Sequence, residues 1–208
     1  MVSMLSFIAI VLLLFLIPGP AVIITITQTL KSGKKNGIYT ALGIGLGDLV
    51  HTLAAVLGLS AILMKSATAF EVVKYIGVAY LVYLGIQMLV TKPKKIEQPT
   101  VEQSPASTSF RQGFLAEILN PKTALFFLAF LPQFIQHNET SVTVQLLTLG
   151  ITFVVMSALY TILLAVVTSF IGEKMFTKTS GSSRWLEKTV GFVYIGLGVR
   201  LALQTQSK

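Results

Sequence analysis

The stretch that decides the fold is LFLIPGPAV, residues 14–22, in the middle of an apolar run over residues 5–30. A run of this length can cross a bilayer as a helix. However, Pro18 and Pro20 lack a backbone donor and clash with the preceding turn, and Gly19 loosens the backbone between them. The sequence therefore predicts a helix that breaks near the middle of the membrane. Such a break must face protein or a water-filled cavity, and in transporters it marks the substrate site; a simple packed kink is the alternative.

The composition indicates an integral membrane protein. Hydrophobic residues make up 53% of the chain and charged residues 12%, against about 25% charged residues in soluble domains. The net charge of +8 does not indicate nucleic-acid binding, because the lysines lie in short connections between apolar runs. There is no cysteine and there are only two histidines, so we expect no disulfide, no cofactor and no dedicated metal site.

Six apolar segments can be marked, and a polar stretch divides them into two halves. The stretch 91–109 is predicted to be a cytoplasmic linker between residues 1–90 and 110–208. The halves share motifs in the same order, including K-x-x-G-x-x-Y at 74–80 and again at 188–194. Because each half has three spans, the second must enter the membrane from the opposite side. The sequence therefore predicts an all-α integral membrane fold of six transmembrane helices, arranged as two inverted three-helix repeats with broken first and fourth helices. The six segments are residues 5–30, 38–64, 70–90, 110–135, 142–171 and 186–203.

The distribution of basic residues predicts the orientation in the membrane. Most of the lysines and arginines lie in the connections after segments one, three and five. The positive-inside rule places these connections in the cytoplasm, as expected for a multi-pass protein of the inner (cytoplasmic) membrane. Both termini are then outside if all six segments cross, whereas a re-entrant first segment would put the N-terminus inside.

Asp48 is the acid deepest within the second segment. A carboxylate at this depth is unfavourable by about 2.5–3.5 kcal/mol, so it should face the interior of the bundle. His51 lies three residues further on, hence on the same helix face. Because an imidazole titrates near neutral pH, we interpret Asp48 and His51 as a proton-coupling pair. A structural hydrogen bond between segments is the alternative.

The fourth segment contains the second break, Asn120-Pro121. Asn120 can cap the half-helix that follows, and the N-terminal ends of two half-helices would attract a carboxylate-bearing substrate. Lys122 could add a fixed charge to this site or could neutralise Glu117. Tyr160 of the fifth segment could offer a hydroxyl group to a ligand, although a hydrogen bond between helices is the more common use.

Several ordered motifs carry a resemblance to a known family. They are PGPA at 18–21, Gly47-Asp48 followed by His51, Asn120-Pro121-Lys122 and FFLAFLPQF at 126–134. In this combination the chain resembles the LysE/RhtB amino-acid exporters over nearly its whole length. The resemblance implies export of small amino acids driven by the proton motive force.

The resemblance also bears on the substrate. Exporters of basic amino acids in this family are expected to carry a second acid where this chain has Phe126. The motifs at 120–134 instead resemble the homoserine, threonine and leucine exporter branch. Glu117 departs from the family pattern, in which a neutral residue is expected.

We therefore expect a secondary transporter that exports small neutral amino acids such as homoserine, threonine or leucine by proton antiport. The alternatives are an exporter of basic amino acids and a non-transporting membrane scaffold or accessory subunit. An enzyme is not expected, because no nucleophile or metal constellation is present. The expected partners are the amino acid, protons and the lipid bilayer, with a homodimer possible and no nucleic acid. The predicted substrate-binding residues are Pro18, Gly19, Pro20, Ala21, Asn120, Pro121, Lys122 and Tyr160, and the predicted proton-coupling residues are Asp48 and His51.

Overall fold

The structure is a computed structural model that describes residues 4–65, 105–136 and 140–171, with single helical positions between 72 and 90 and between 195 and 199. Every regular element within these ranges is a helix. The stretches Pro20–Leu59 and Val142–Ile171 are helices long and apolar enough to cross a membrane, and the bent pair Ala106–Ile118 with Pro121–Phe134 is a third span if counted as one. An all-helical membrane protein is therefore confirmed. The elements are α1 (Met4–Phe15), α2 (Pro20–Lys65), α3 (Ala106–Ile118), α4 (Pro121–Ala129), a 3₁₀ turn (Leu131–Phe134) and α5 (Val142–Ile171).

Both predicted breaks are present. The first lies between α1, which ends at Phe15, and α2, which begins at Pro20. The second lies between α3 and α4, whose axes are bent by 47°. At the second break Asn120 caps α4, because its side-chain oxygen accepts a hydrogen bond from the backbone N–H of Lys122 at 3.1 Å. This cap was predicted from the sequence and is confirmed.

The helix α2 folds back on itself at Gly33. Gly33 has a φ of 83°, in the left-handed region that favours glycine. A Cβ atom on Gly37 would lie 2.0 Å from the hydroxyl oxygen of Thr29, although eight residues of straight helix span about 12 Å. The two arms of α2 therefore lie side by side, and they correspond to the first two predicted segments.

Glycines bring α2 and α3 into backbone contact. A Cβ atom on Gly43 would lie 2.1 Å from the carbonyl oxygen of Phe110, and one on Gly113 would lie 2.3 Å from that of Thr40. Gly47 similarly faces the Cβ atom of Glu117. Gly43 and Gly47 therefore form a close helix–helix contact, which brings Glu117 against α2.

A polar network joins the two arms of α2 to the start of α3. Ser109 accepts a hydrogen bond from Asn36 at 2.9 Å and donates one to Gln28 at 3.1 Å. Gln28 in turn donates to Gln112. The helix α3 begins at Ala106, so it includes the last residues of the stretch 91–109 that is predicted to be the linker, and Ser109 is fully buried in the network.

Aromatic side chains form the core beside the breaks. The ring of Phe7 in α1 contacts Phe134 at 5.1 Å between ring centroids, and Phe127 contacts Phe153 at 4.9 Å. Phe126 is buried and stacks on Phe130, with 5.4 Å between ring centroids. This cluster fixes α1, α4 and α5 around the site.

Two of the six predicted segments, 70–90 and 186–203, lie largely outside the described residues, as do the repeated motifs at 74–80 and 188–194 and most of the linker. The division into two inverted halves therefore stays a prediction.

Candidate functional site

A small buried cavity lies where the two breaks meet. Its wall combines polar and apolar side chains from all five helices and from Asn120 at the second break. The space open to water is about 20 Å³, which is room for roughly one water molecule. The lining residues are Leu14, Phe15, Ala21, Val22, Asp48, Glu117, Asn120, Lys122, Thr123, Phe153, Ser157, Tyr160 and Thr161.

The N-terminal ends of two half-helices reach this cavity. The first turn of α2 contributes Ala21 and Val22, and the first turn of α4 contributes Lys122 and Thr123. The first N–H groups of a helix have no partner within the helix and carry a partial positive charge. Proline at the first position of each half-helix removes one such donor and presets the backbone for the turn. The cavity is thus a place where an anionic group would be stabilised.

Lys122 connects the two breaks directly. Its ammonium group donates to the carbonyl oxygen of Ile17 at 3.1 Å and to that of Leu14 at 3.2 Å. Gly19 leaves room for this side chain, since a Cβ atom there would lie 3.1 Å from Nζ. The backbone groups freed by the first break are therefore satisfied by a side chain from the second.

Two buried acids, Asp48 and Glu117, line the same cavity as Lys122. Asp48 faces the side chains of Glu117 and Ser157, yet neither of its carboxylate oxygens has a hydrogen-bond partner among the described residues. Glu117 accepts hydrogen bonds from the amide nitrogen of Asn120, at 3.1 and 3.3 Å to its two oxygens. Asp48 is therefore the acid with unused acceptor capacity.

No hydrogen bond joins Asp48 to His51 in the structure, and the predicted role of this pair in proton coupling stays a prediction. His51 donates from Nε2 to the backbone carbonyl oxygen of Glu117 at 2.9 Å, and its ring lies 6.1 Å from that of Phe127. Spacing of three residues places two side chains on one helix face, but the tight α2–α3 contact offers His51 a backbone acceptor. His51 therefore supports the position of α3 and does not line the cavity.

Aromatic side chains of α1 and α5 form an apolar part of the cavity wall. Tyr160 stacks on Phe15, with 5.3 Å between ring centroids and an interplanar angle of 18°. Phe153 meets Phe15 edge-on at 5.3 Å. This wall suits an uncharged side chain.

The structure brings most of the predicted site residues together. Five of the ten line the cavity: Ala21, Asp48, Asn120, Lys122 and Tyr160. Four others, Pro18, Gly19, Pro20 and Pro121, form the backbone of the breaks, and His51 lies behind the wall. Their roles in binding stay predictions.

Sequence reasoning missed Thr161 of α5. It lines the cavity together with Ser157, and Thr168 is buried two turns further along. These small polar residues recur on one face of an otherwise apolar helix, at the spacing that faces a partner. That stripe was the available signal. Within the described ranges no cluster of three or more acidic, histidine or cysteine side chains could hold a metal ion.

Broken helices that present their N-terminal ends to a buried polar cavity define a membrane transport protein. The sequence profile of the LysE type translocators matches residues 12–205, so the chain belongs to the LysE type translocator family. This confirms the family predicted from the motifs.

Relatives of this chain are membrane proteins of bacteria. It is 32% identical to the uncharacterized membrane protein YrhP of Bacillus subtilis, over 97% of this chain and 99% of that one. It is 29% identical to the leucine efflux protein of Klebsiella pneumoniae, over 91% of this chain and 89% of the relative. It is also 29% identical to the leucine efflux protein of Salmonella typhimurium, over 90% and 88%. No solved structure matches the chain.

Proposed function

We propose that this protein exports small neutral amino acids, such as leucine, threonine or homoserine, from the cytoplasm in exchange for protons. The observation that carries the proposal is the cavity between the two breaks, which has a cationic end and an anionic end. A free amino acid has the same two charges, one on each side of its α-carbon. The names of the leucine efflux relatives agree with this class of substrate.

The cationic end suits the α-carboxylate. The N-terminal turns of α2 and α4 and the ammonium group of Lys122 meet there. Carboxylates are stabilised at helix N-termini by the free N–H groups and by the helix dipole. Lys122 can add a charge-assisted hydrogen bond.

The anionic end suits the α-ammonium group. Asp48 is fully buried and has two oxygens without a hydrogen-bond partner in the described part of the chain. A buried acceptor without a donor is unfavourable by about 1–3 kcal/mol. An ammonium group supplies the missing donors and an opposite charge.

The apolar wall favours a neutral side chain. Phe15, Phe153 and Tyr160 face the space beside the charged groups. Burying a cationic side chain against such a wall is unfavourable unless an acid is left to pair with it. Glu117 is the candidate for that acid, so the alternative of a basic substrate rests on it. A non-transporting scaffold would have no use for a buried acid without a partner.

Uptake of labelled amino acids into inverted membrane vesicles tests this function. We expect accumulation of leucine, threonine or homoserine only when the vesicle interior is made acidic, and weak competition by lysine and arginine. Vesicles without the protein are the control. Strong preference for arginine would favour the basic-substrate alternative, and absence of uptake for all of these amino acids would refute the proposal.

A further inference from the structure

The cavity holds three buried ionisable side chains from three helices. Asp48 comes from α2, Glu117 from α3 and Lys122 from α4, and all three are buried. If all are charged, the site carries one uncompensated negative charge. An uncompensated charge in a poorly hydrated interior is strongly unfavourable. Binding of one proton brings the net charge of the three side chains to zero.

The geometry indicates where this proton belongs. The carboxyl group of Asp48 faces that of Glu117, and both are hydrogen-bond acceptors when ionised. Glu117 already receives the amide of Asn120, whereas Asp48 has no partner in the described residues. Two carboxylates that share a site do not both stay ionised. A proton on Asp48 would supply the missing donor between them.

The other titratable groups at the site are engaged elsewhere. Lys122 of α4 is bound to two backbone carbonyl oxygens, and His51 of α2 donates to the backbone of Glu117. Tyr160 of α5 stacks on a phenylalanine of α1. Ser157 faces Asp48 and can offer one hydroxyl donor, so it is the donor between the two acids that must come from a bound species.

We propose that Asp48 and Glu117 form one acid pair that binds a single proton, carried by Asp48 and donated to Glu117 while the site is empty. Glu117 is then a proton-coupling residue and not only a structural acid. The ammonium group of a substrate has the same charge and donates to the same oxygens. As it enters from the cytoplasm, Asp48 loses its proton to cytoplasmic water, and a proton from outside returns after the substrate leaves. Only this exchange step rests on the proposed function; the shared proton does not.

Infrared spectroscopy of the purified, substrate-free protein tests the pair. The C=O stretching band of a protonated carboxyl group is measured in the wild type, in Asp48→Asn and in Glu117→Gln. Glu139→Gln, which changes an acid three residues before α5 in the same way, is the control. Circular dichroism and gel filtration verify that each variant is folded.

We expect one protonated carboxyl group in the wild type and in the control at neutral pH. Both Asp48→Asn and Glu117→Gln should lose the band. Each variant leaves one acid at the site, and that acid stays ionised because Lys122 neutralises its charge and an amide group donates a hydrogen bond to it. Persistence of the band in folded Glu117→Gln would overturn the pair and leave the proton on Asp48 alone. Absence of the band in the wild type would overturn it as well.

The wild type provides a test that needs no variant. An acid pair binds its two protons in two separated steps as the pH is lowered, whereas a lone aspartate binds one in a single step. A single step in the infrared titration would therefore contradict the pair, even if Glu117→Gln did not fold.

Adding leucine to the wild type separates the exchange step from the proposed function. We expect the carboxyl band to disappear and about one proton per bound leucine to appear in weakly buffered solution. The apparent affinity for leucine should then change about tenfold per pH unit, because one proton leaves for each ligand bound. Binding without proton release would overturn the exchange. Failure to bind any of the three amino acids would refute the proposed function, while the substrate-free spectra still decide the pair.

Discussion

Replacing Lys122 with methionine removes the ammonium group that joins the two breaks and keeps a side chain of similar length. The native ammonium group donates to two backbone carbonyl oxygens, those of Leu14 and Ile17. The carbonyl oxygen of Ile17 lies beyond the end of α1, and that of Leu14 also accepts a hydrogen bond from the backbone N–H of Ile17 at 3.3 Å. A hydrogen bond to a charged group contributes about 1.5–3 kcal/mol. We therefore expect Lys122→Met to lower the free energy of unfolding by about 3–6 kcal/mol.

Denaturant titration of the purified protein in detergent, followed by far-UV circular dichroism, measures this loss. Lys35→Met is the matched control, because Lys35 is exposed in the turn between the arms of α2. Exposed substitutions away from special features change stability by no more than about 0.5 kcal/mol. Equal unfolding of Lys122→Met and the control would refute the assignment of Lys122 as the link between the breaks.

The charge of Lys122 has a separate consequence. Without it, Asp48 and Glu117 have no cation beside them in the cavity, so Glu117→Gln should relieve part of the loss. A double-mutant cycle of Lys122→Met and Glu117→Gln should give a coupling energy of about 0.5–3 kcal/mol, as for residues in one interacting network. Strict additivity would mean that Lys122 acts only through its backbone contacts.

Three further predictions concern packing, coupling and selectivity. Gly43→Ala should destabilise the protein, because its Cβ would lie 2.1 Å from a carbonyl oxygen of α3; Gly58→Ala, with nothing within 4 Å, should be neutral or stabilising by up to about 1 kcal/mol, and equal unfolding curves would contradict this. Asp48→Asn should weaken leucine binding, because the ammonium group of the substrate loses its charged acceptor, and should abolish accumulation driven by a pH gradient; accumulation at the wild-type rate would remove Asp48 from coupling. Tyr160→Ala should widen the cavity and raise phenylalanine uptake relative to leucine several-fold, whereas Tyr160→Phe, which keeps the stacked ring, should not; equal ratios in both variants would exclude Tyr160 from the wall that sets substrate size.

The local features of the fold could be predicted because each depends on residues close together in sequence. Pro18 and Pro20 remove donors within their own helix, and Asn120 caps the turn that directly follows it. The bounds predicted for the fifth segment coincide with α5, Val142–Ile171, since a continuous apolar run between polar residues fixes both ends of a span.

The contacts between helices could not be predicted in the same way. Nothing near Lys122 in the sequence indicates that it reaches carbonyl oxygens more than 100 residues away. His51 shares a helix face with Asp48, but its hydrogen-bond partner depends on how closely α3 approaches α2. Ser109 ends a polar stretch that is typical of a linker. Its hydrogen-bond partners Asn36 and Gln28 lie 73 and 81 residues earlier in the sequence. Periodicity predicts which face is buried, but not which partner meets it.

The size of the cavity links the site to the transport cycle. A space of about 20 Å³ is too small for an amino acid, so on the proposed function the wall must open for a substrate to enter. The contacts that close it join α1 to α4 through Lys122 and to α5 through the stack of Phe15 on Tyr160. Residues 16–19, which join α1 to α2, lie outside any helix. Movement of α1 relative to α2 would therefore break fewer hydrogen bonds than bending a continuous helix. On the proposed function, a substrate carboxylate competes for the ammonium group that holds the end of α1, and binding thereby weakens one of the contacts that must open.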